Sequence, residues 1–362
     1  MTTRRHFLGA GAALLAASSL GRAARQEPTT KPLKLLFLGG TGFIGPHQIR
    51  YALERGHEVT MFNRGRRGGM YGGDVEELTG DRDAKVGDGL KSLEGDRAWD
   101  VVIDNSGYVP RHVRDSAELL KDRCDRYLFT STVAVYDYDS TPDGVCDHDG
   151  PLHPAPSPET EQVTGATYGP LKAECDRIVR EVYGERATCV RPCYIVGPGD
   201  STDRFTYWIE RAHRGGDIVC PASPEKGVQW IDVRDLCHWL VRLAEAGTPG
   251  VFNGAGPASP VTNEQLMWSL RAFTAAPTTL HWPSIELLDE LRYSTPMFDR
   301  SRSDRRTESS KSWGAGLTYR SLAETVADTH AWWMSEPEER RTNLRRWPTP
   351  EQEAAVLARM KG

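Results

Sequence analysis

Lys34-Leu35-Leu36-Phe37-Leu38-Gly39-Gly40-Thr41-Gly42-Phe43-Ile44-Gly45 is the stretch that decides how this chain folds. A short apolar run closed by glycines suits a buried strand. The glycines at 39, 42 and 45 are spaced G-x-x-G-x-x-G, and a helix is predicted directly after them, over 45–55. Pro46 is tolerated in its first turn, and Gly56 supplies its C-terminal stop. Glycines at a strand-to-helix junction permit a tight turn and close backbone approach, so a pyrophosphate can rest on the helix N-terminus. Gly39, Thr41, Gly42, Phe43, Ile44 and Gly45 are therefore the first candidate binding residues.

Outward from this turn the chain alternates strand and helix. Strands are expected at 58–62, 100–103, 126–130 and 187–196, with helices at 113–123 and 168–183. The Pro-, Ser-, Glu- and Thr-bearing segment 155–165 reads as a loop. This alternation predicts an α/β fold with a doubly wound parallel sheet over 32–196. A smaller substrate-binding lobe is expected over 197–345, with segments returning to the core, then a C-terminal helix or tail over 346–362. In the lobe, 229–232 suits a strand leading into a helix over 235–244.

Two more motifs carry chemistry. At the end of the second strand stand Asn63 and Arg64, with Arg66 and Arg67 close behind. An acid is wanted there, about 20 residues past the glycines, to bind the ribose 2'-hydroxyl of NAD. Guanidinium groups instead match a 2'-phosphate in charge and geometry, so NADP(H) is favoured over NAD(H). Further on, Tyr168 and Lys172 fall at i and i+4 on one helix face, after the Ser/Thr-rich strand end 129–136. A neighbouring ammonium stabilises phenolate and lowers a tyrosine's pKa from about 10. Tyr168 could then exchange a proton with a substrate hydroxyl while hydride moves to or from nicotinamide.

In these motifs the chain resembles a short-chain dehydrogenase/reductase of the extended or atypical, NAD-dependent epimerase/dehydratase type. The resemblance implies a Rossmann-like sheet and a catalytic set of Thr132, Tyr168 and Lys172, with Lys172 also holding the nicotinamide ribose. It implies that Asp81 contacts adenine and that Pro192 lies near the nicotinamide. It also implies that Tyr194 and Arg234 lie near the substrate. Two departures narrow it. Relatives that eliminate water carry Thr-Asp-Glu where this chain has Thr132-Val133-Ala134, which lacks the carboxylates. Sugar-nucleotide epimerases often carry Asn where Tyr194 stands. The expectation is an NAD(P)-dependent oxidoreductase or epimerase acting on a secondary alcohol or ketone of a sugar-like small molecule. The competing readings are an NADPH-dependent reductase of the isoflavone-reductase-like kind and a non-catalytic nucleotide- or RNA-binding member such as the chloroplast stem-loop-binding proteins. A homodimer is compatible with the class.

The N-terminus reads as an address. Arg4-Arg5 followed by Phe7-Leu8, an apolar stretch over 9–20 and Gly21-Arg22-Ala23 describe a twin-arginine signal over 1–23. It implies the export machinery as a partner and an extracytoplasmic destination. The 362 residues carry 45 Lys+Arg against 50 Asp+Glu, a net charge of -5. Cleavage after Ala23 removes three Arg and no acid, leaving the mature chain at about -8, so no whole-molecule attraction for nucleic acid is expected. Seven Cys at irregular spacing, without C-x-x-C, suggest neither a disulfide framework nor zinc. Cys146, Asp147, His148, Asp149 and His153 read as an acidic loop, so no metal is expected. Cys189 and Cys193 are expected to share one face of one strand, and Trp332-Trp333 to serve packing rather than as a stacking platform.

Overall fold

Seven parallel strands carry the fold: β1 (Lys34–Leu38), β2 (Glu58–Asn63), β3 (Val75–Thr79), β4 (Trp99–Asp104), β5 (Cys124–Thr130), β7 (Ala187–Pro192) and β11 (Gly250–Gly254). Their spatial order is β11-β7-β5-β4-β1-β2-β3. This computed structural model describes residues 31–361 except 142, 221–222, 295–296, 299–304 and 345–346. The twin-arginine segment 1–23 lies outside the described residues. Leu35, Leu36, Phe37 and Leu38 are wholly buried, as a central strand flanked on both sides by β2 and β4 requires.

Helices cover both faces. α1 (Ile44–Glu54) and α5 (Val233–Ala246) pack on one face, where Ile49, Ala52, Trp239 and Leu240 join Phe37 and Ile103. α2 (Pro110–Leu120) and α3 (Tyr168–Tyr183) cover the other, through Val113, Leu120, Ile178 and Val179. Strand succession runs one way from β1 and the other way from β4. The crevice between the ends of these two strands is thus the switch point at which such sheets bind ligands.

The lobe grows from the edge beyond β7. β8 (Tyr194–Val196), β10 (Gly227–Asp232) and β12 (Gly256–Thr262) form a three-stranded sheet. Two small pairs join β9 (Gly216–Val219) to β13 (Thr278–His281) and β6 (Val145–Cys146) to β14 (Arg306–Thr307). Phe205, Trp208 and Ile209 around α4 (Thr206–Arg214) pack with Leu266, Met267, Leu270 and Val326 into a separate core. The C-terminal helix Pro350–Lys361 is part of this body: Glu353 accepts Arg211 Nε at 2.8 Å and Val219 N at 3.1 Å, and Val356 is fully buried. Among the described residues no helix is long and apolar enough to cross a membrane.

Two expectations change at the end of β7. The strand over 187–196 is two strands in two sheets. Pro192 has no N–H to extend the ladder, and Cys193 turns the corner with its N–H on Gly254 O at 3.1 Å. Cys189 is consequently buried in the main sheet while Cys193 borders the cleft, so they do not share a strand face. Strand β3 went unpredicted because its sequence VEELT carries the charges of an edge strand. β11 and α5 pack with the main sheet, so segments beyond residue 196 return to that core.

Candidate active site

The glycine turn has a different steric demand at each glycine. Gly39 has φ +84°, and a Cβ there would meet Ser106 Cβ at 2.8 Å. A Cβ on Gly45 would lie 2.2 Å from Gly40 O, so α1 can approach β1 only because that position is glycine. Around Gly42 nothing lies within 4 Å of a built Cβ. The turn is held by Tyr71 Oη donating to Gly40 O at 2.6 Å and Arg67 Nη1 donating to Thr41 O at 3.0 Å.

From this turn opens a cleft of about 2090 Å³ that Thr41, Gly42, Phe43, Ile44 and Gly45 border. Asn63, Arg64, Arg66 and Asp81 line the same end. Asn63 Oδ1 accepts Gly65 N at 2.5 Å, whereas its buried Nδ2 has no partner among the described residues. Ser131 Oγ, also lining the cleft, is likewise buried and unpartnered. Arg64 and Arg66 are exposed. Asp81 spends one carboxylate oxygen on Asp83 N at 2.9 Å. Unpartnered polar atoms, an open glycine and exposed guanidinium groups fit a dinucleotide.

Farther along, the cleft reaches Thr132, Tyr168, Lys172, Pro192 and Tyr194. Thr132 begins the turn after β5, its Oγ1 accepting Ala134 N at 3.2 Å. Tyr168 is the first residue of α3, and Gly169 lets that helix touch the Thr132 turn: a Cβ there would be 2.4 Å from Ala134 O. Lys172 is buried, its Nζ donating to Gly107 O at 2.7 Å and Thr130 O at 2.8 Å and lying 4.1 Å from the Phe129 ring centroid. Burial pushes its pKa down.

The phenol departs from expectation. Burial raises the Tyr168 pKa above its ordinary value, and the forces that pull it back are the Thr132 hydroxyl and the Arg204 charge. Lys172 is not among them. Its ammonium is committed to two carbonyls, and the cation acting on Tyr168 comes from the lobe.

Arg234 is held by carboxylates. It is not among the described residues that line the cleft; its Nε donates to Asp232 Oδ1 at 2.9 Å, its Nη2 to Asp232 Oδ2 at 2.8 Å, and its Nη1 to Asp328. Reasoning from sequence also missed the support beneath the switch point. Asp104, at the end of β4, is fully buried and accepts Arg82 Nη1 at 2.7 Å, Arg82 Nη2 at 3.0 Å and Tyr127 Oη at 2.7 Å. Burial alone would raise its pKa, but the Arg82 charge and these hydrogen bonds hold it below the ordinary carboxylate value. Next to it, Asn105 Nδ2 donates to Gln48 Oε1 at 2.7 Å while its Oδ1 accepts Thr130 Oγ1 at 2.8 Å, joining β4, α1 and β5. An Asp-Asn pair ending a buried strand was the available signal. Trp332, expected to serve packing, lines the cleft, whereas Trp333 is buried.

Cys146 is buried, and Asp147 Oδ1 caps Asp149 N at 2.9 Å, so that loop satisfies itself. Among the described residues, Asp83, His112 and Glu161 do converge within 4.8 Å. Arg111 already occupies that cluster as its cation, bonding Asp83 at 2.8 Å and Glu161 at 2.6 Å.

A parallel sheet with helices on both faces and a glycine turn at its switch point defines a doubly wound nucleotide-binding protein. The chain belongs to the NAD dependent epimerase/dehydratase family, whose profile matches residues 35–255. Its fold is similar to the Bordetella bronchiseptica enzyme WbmG in complex with NAD and UDP, at TM-score 0.62 and 16% identity, covering 85% of this chain and 96% of that one. UDP-glucuronic acid 4-epimerase from Bacillus cereus in complex with NAD gives TM-score 0.61 and 16% identity, over 83% and 96%. In sequence, the chain is 28% identical over 239 residues to the chloroplast stem-loop binding protein of 41 kDa b from Arabidopsis thaliana. That match spans 62% of this chain and only 58% of the plant protein.

Proposed function

We propose that this protein oxidises or reduces a secondary alcohol or ketone of a sugar-like molecule, with Tyr168 as the proton-exchanging group. The supporting observation is the continuity of one cleft from open Gly42, past Thr132, Tyr168 and Lys172, to the lobe. A bound nicotinamide dinucleotide would accept or donate the hydride. Gly39, Gly42 and the N-terminus of α1 would cradle its pyrophosphate, Asp81 its adenine and Lys172 its nicotinamide ribose, with Pro192 beside the ring. Thr132 and Tyr168 would share the substrate oxygen, and the proton would pass between that oxygen and the phenol. Arg64 and Arg66 favour NADP(H); Asn63 in place of an acid removes the group that would repel a 2'-phosphate.

Export by the twin-arginine route would carry the folded protein out with its dinucleotide inside. Free dinucleotide is expected to be scarce there, which favours an internal oxidation–reduction cycle of the epimerase kind. An isoflavone-reductase-like enzyme would instead draw on external NADPH in the cytoplasm. The test is to purify the protein from the exported fraction and denature it. One dinucleotide released per chain is expected; none would refute a retained cofactor. Tyr168→Phe is expected to keep the nucleotide and lose turnover by about 10²–10⁴-fold. The plant relative motivates a second reading, nucleic-acid binding without catalysis. Under that reading RNA retention, measured by gel shift, survives Tyr168→Phe unchanged.

A further inference from the structure

One cation at the lobe end of the cleft stands apart from the others. Arg204, just before α4, lines the cleft with its guanidinium 5.6 Å from the centroid of the Tyr194 ring. Its Nε donates to Thr202 Oγ1 at 2.8 Å, which orients the fork. Its two terminal nitrogens have no partner, and no carboxylate lies within ion-pair distance, among the described residues. The other cations nearby are engaged: Arg82 by Asp104, Lys172 by two carbonyls, Arg305 by Asp139 at 2.9 Å. Asp81, at the glycine-turn end, is the one carboxylate that lines the cleft among the described residues. A half-buried guanidinium fork aimed into such a space is matched by a planar oxyanion.

Its position says where on the ligand that anion sits. Burial raises the pKa values of Tyr168, Tyr108 and Cys193, and the Arg204 charge pulls each of them back. Arg204, Tyr194, Tyr108 and Tyr168 border the same cleft, with the Tyr108 and Tyr168 ring centroids 6.4 Å apart, so the guanidinium faces the space that the Tyr168 phenol also faces. We propose that Arg204 binds an anionic substituent of the substrate close to the reacting carbon, the carboxylate of a sugar acid. This rests on the reading of Tyr168 as the proton-exchanging group. The same oxyanion chemistry could come from the diphosphate of a nucleotide sugar. One fork without an ion pair among the described residues matches the single charge of a carboxylate, whereas a diphosphate spreads its charge over two phosphates and Arg305, also on the cleft, is paired with Asp139.

The full chain with its bound dinucleotide is titrated by calorimetry with D-glucuronate, D-glucose and UDP-glucose, as wild type, Arg204→Gln and Arg204→Lys. Glucuronate is expected to bind wild type at least about tenfold more tightly than glucose, and Arg204→Gln to weaken it by roughly 10–100-fold. Arg204→Lys keeps the charge without the fork and is expected to recover part of that loss. Glucose binding should be the same in all three, and the thermal midpoint of both variants should stay within about 2 °C of wild type, since the half-buried Arg204 side chain gives up one hydrogen bond and no ion pair among the described residues. Equal glucuronate binding in wild type and Arg204→Gln overturns the assignment. So does binding of neither sugar. Arg204-dependent binding of UDP-glucose alone assigns the fork to phosphate and overturns the sugar acid. Nucleotide released on denaturing the same samples is read separately: its absence refutes the dinucleotide reading, whatever the calorimetry reports of Arg204.

Discussion

Adding one methyl group at Gly42 and at Gly45 should have opposite consequences. At Gly45 the new Cβ would lie 2.2 Å from Gly40 O, with Gly40 C at 2.3 Å and Gly40 Cα at 2.7 Å. All three are backbone atoms, so relief requires α1 to move about 1 Å off β1, well over the tolerance of a close-packed interior. Overpacking of this kind costs about 1–3 kcal/mol or more. The better helix propensity of alanine returns up to about 1 kcal/mol. A net loss of about 2 kcal/mol is expected, lowering the thermal midpoint by roughly 3 °C for a chain of 362 residues. At Gly42, by contrast, nothing lies within 4 Å, so the stability of Gly42→Ala should stay within about 0.5 kcal/mol of wild type. Its methyl group would instead project into the space assigned to the pyrophosphate, and dinucleotide affinity should fall at least about tenfold. Denaturant unfolding of nucleotide-stripped protein, with fluorescence titration of NADP⁺, separates the two. A Gly45→Ala protein as stable as wild type, or a Gly42→Ala protein with unchanged affinity, would refute the steric assignment of this turn.

Removing the carboxylate at Asp104 leaves Arg82 buried without a counter-charge, so Asp104→Asn should cost about 3–5 kcal/mol in urea unfolding. The folded-state pKa of Asp104 is depressed, so its stabilisation is complete above the unfolded value near 4 and is lost as pH falls through the lower folded value. The wild-type advantage over Asp104→Asn, followed by thermal melts from pH 6 downward, should therefore persist to about pH 4 and shrink below it. Converting Arg64 and Arg66 together to Gln should weaken NADP⁺ binding at least about tenfold and leave NAD⁺ within about twofold, as measured by competitive titration. Equal losses for both dinucleotides would show that these arginines do not read the 2'-phosphate.

The elements that could be read from sequence are those whose signal is local. β1 and α3 fall where their apolar run and their i, i+4 pattern put them. The elements that escaped depend on distant partners. β11, the five residues Gly250–Gly254, becomes a strand because β7 offers its edge, and its flanking glycines give no local cue. The break at Cys193 is decided by whether the chain pairs onward with β11 or with β10, and that choice is tertiary. The same limit applies at the site. The i, i+4 spacing puts Tyr168 and Lys172 on one helix face, but spacing does not specify which acceptors capture the ammonium. Two carbonyls from the ends of other segments do so. Arg234 likewise follows a suggestive segment, yet Asp232 and Asp328 hold its guanidinium away from the cleft.

By itself the sequence determined the glycine turn, the alternation of strand and helix around it, and the Tyr168-Lys172 face of α3. Each rests on sterics or periodicity within a few residues, which the chain carries wherever it folds. Only the tertiary structure decided that Arg204 supplies the charge felt by Tyr168 and that Asp104 and Arg82 underpin the switch point. Those are electrostatic relations across 36 and 22 residues of chain, from Tyr168 to Arg204 and from Arg82 to Asp104. Coulomb energy depends on separation in space and on burial, and both exist only once the sheet and the lobe have closed around the same cleft.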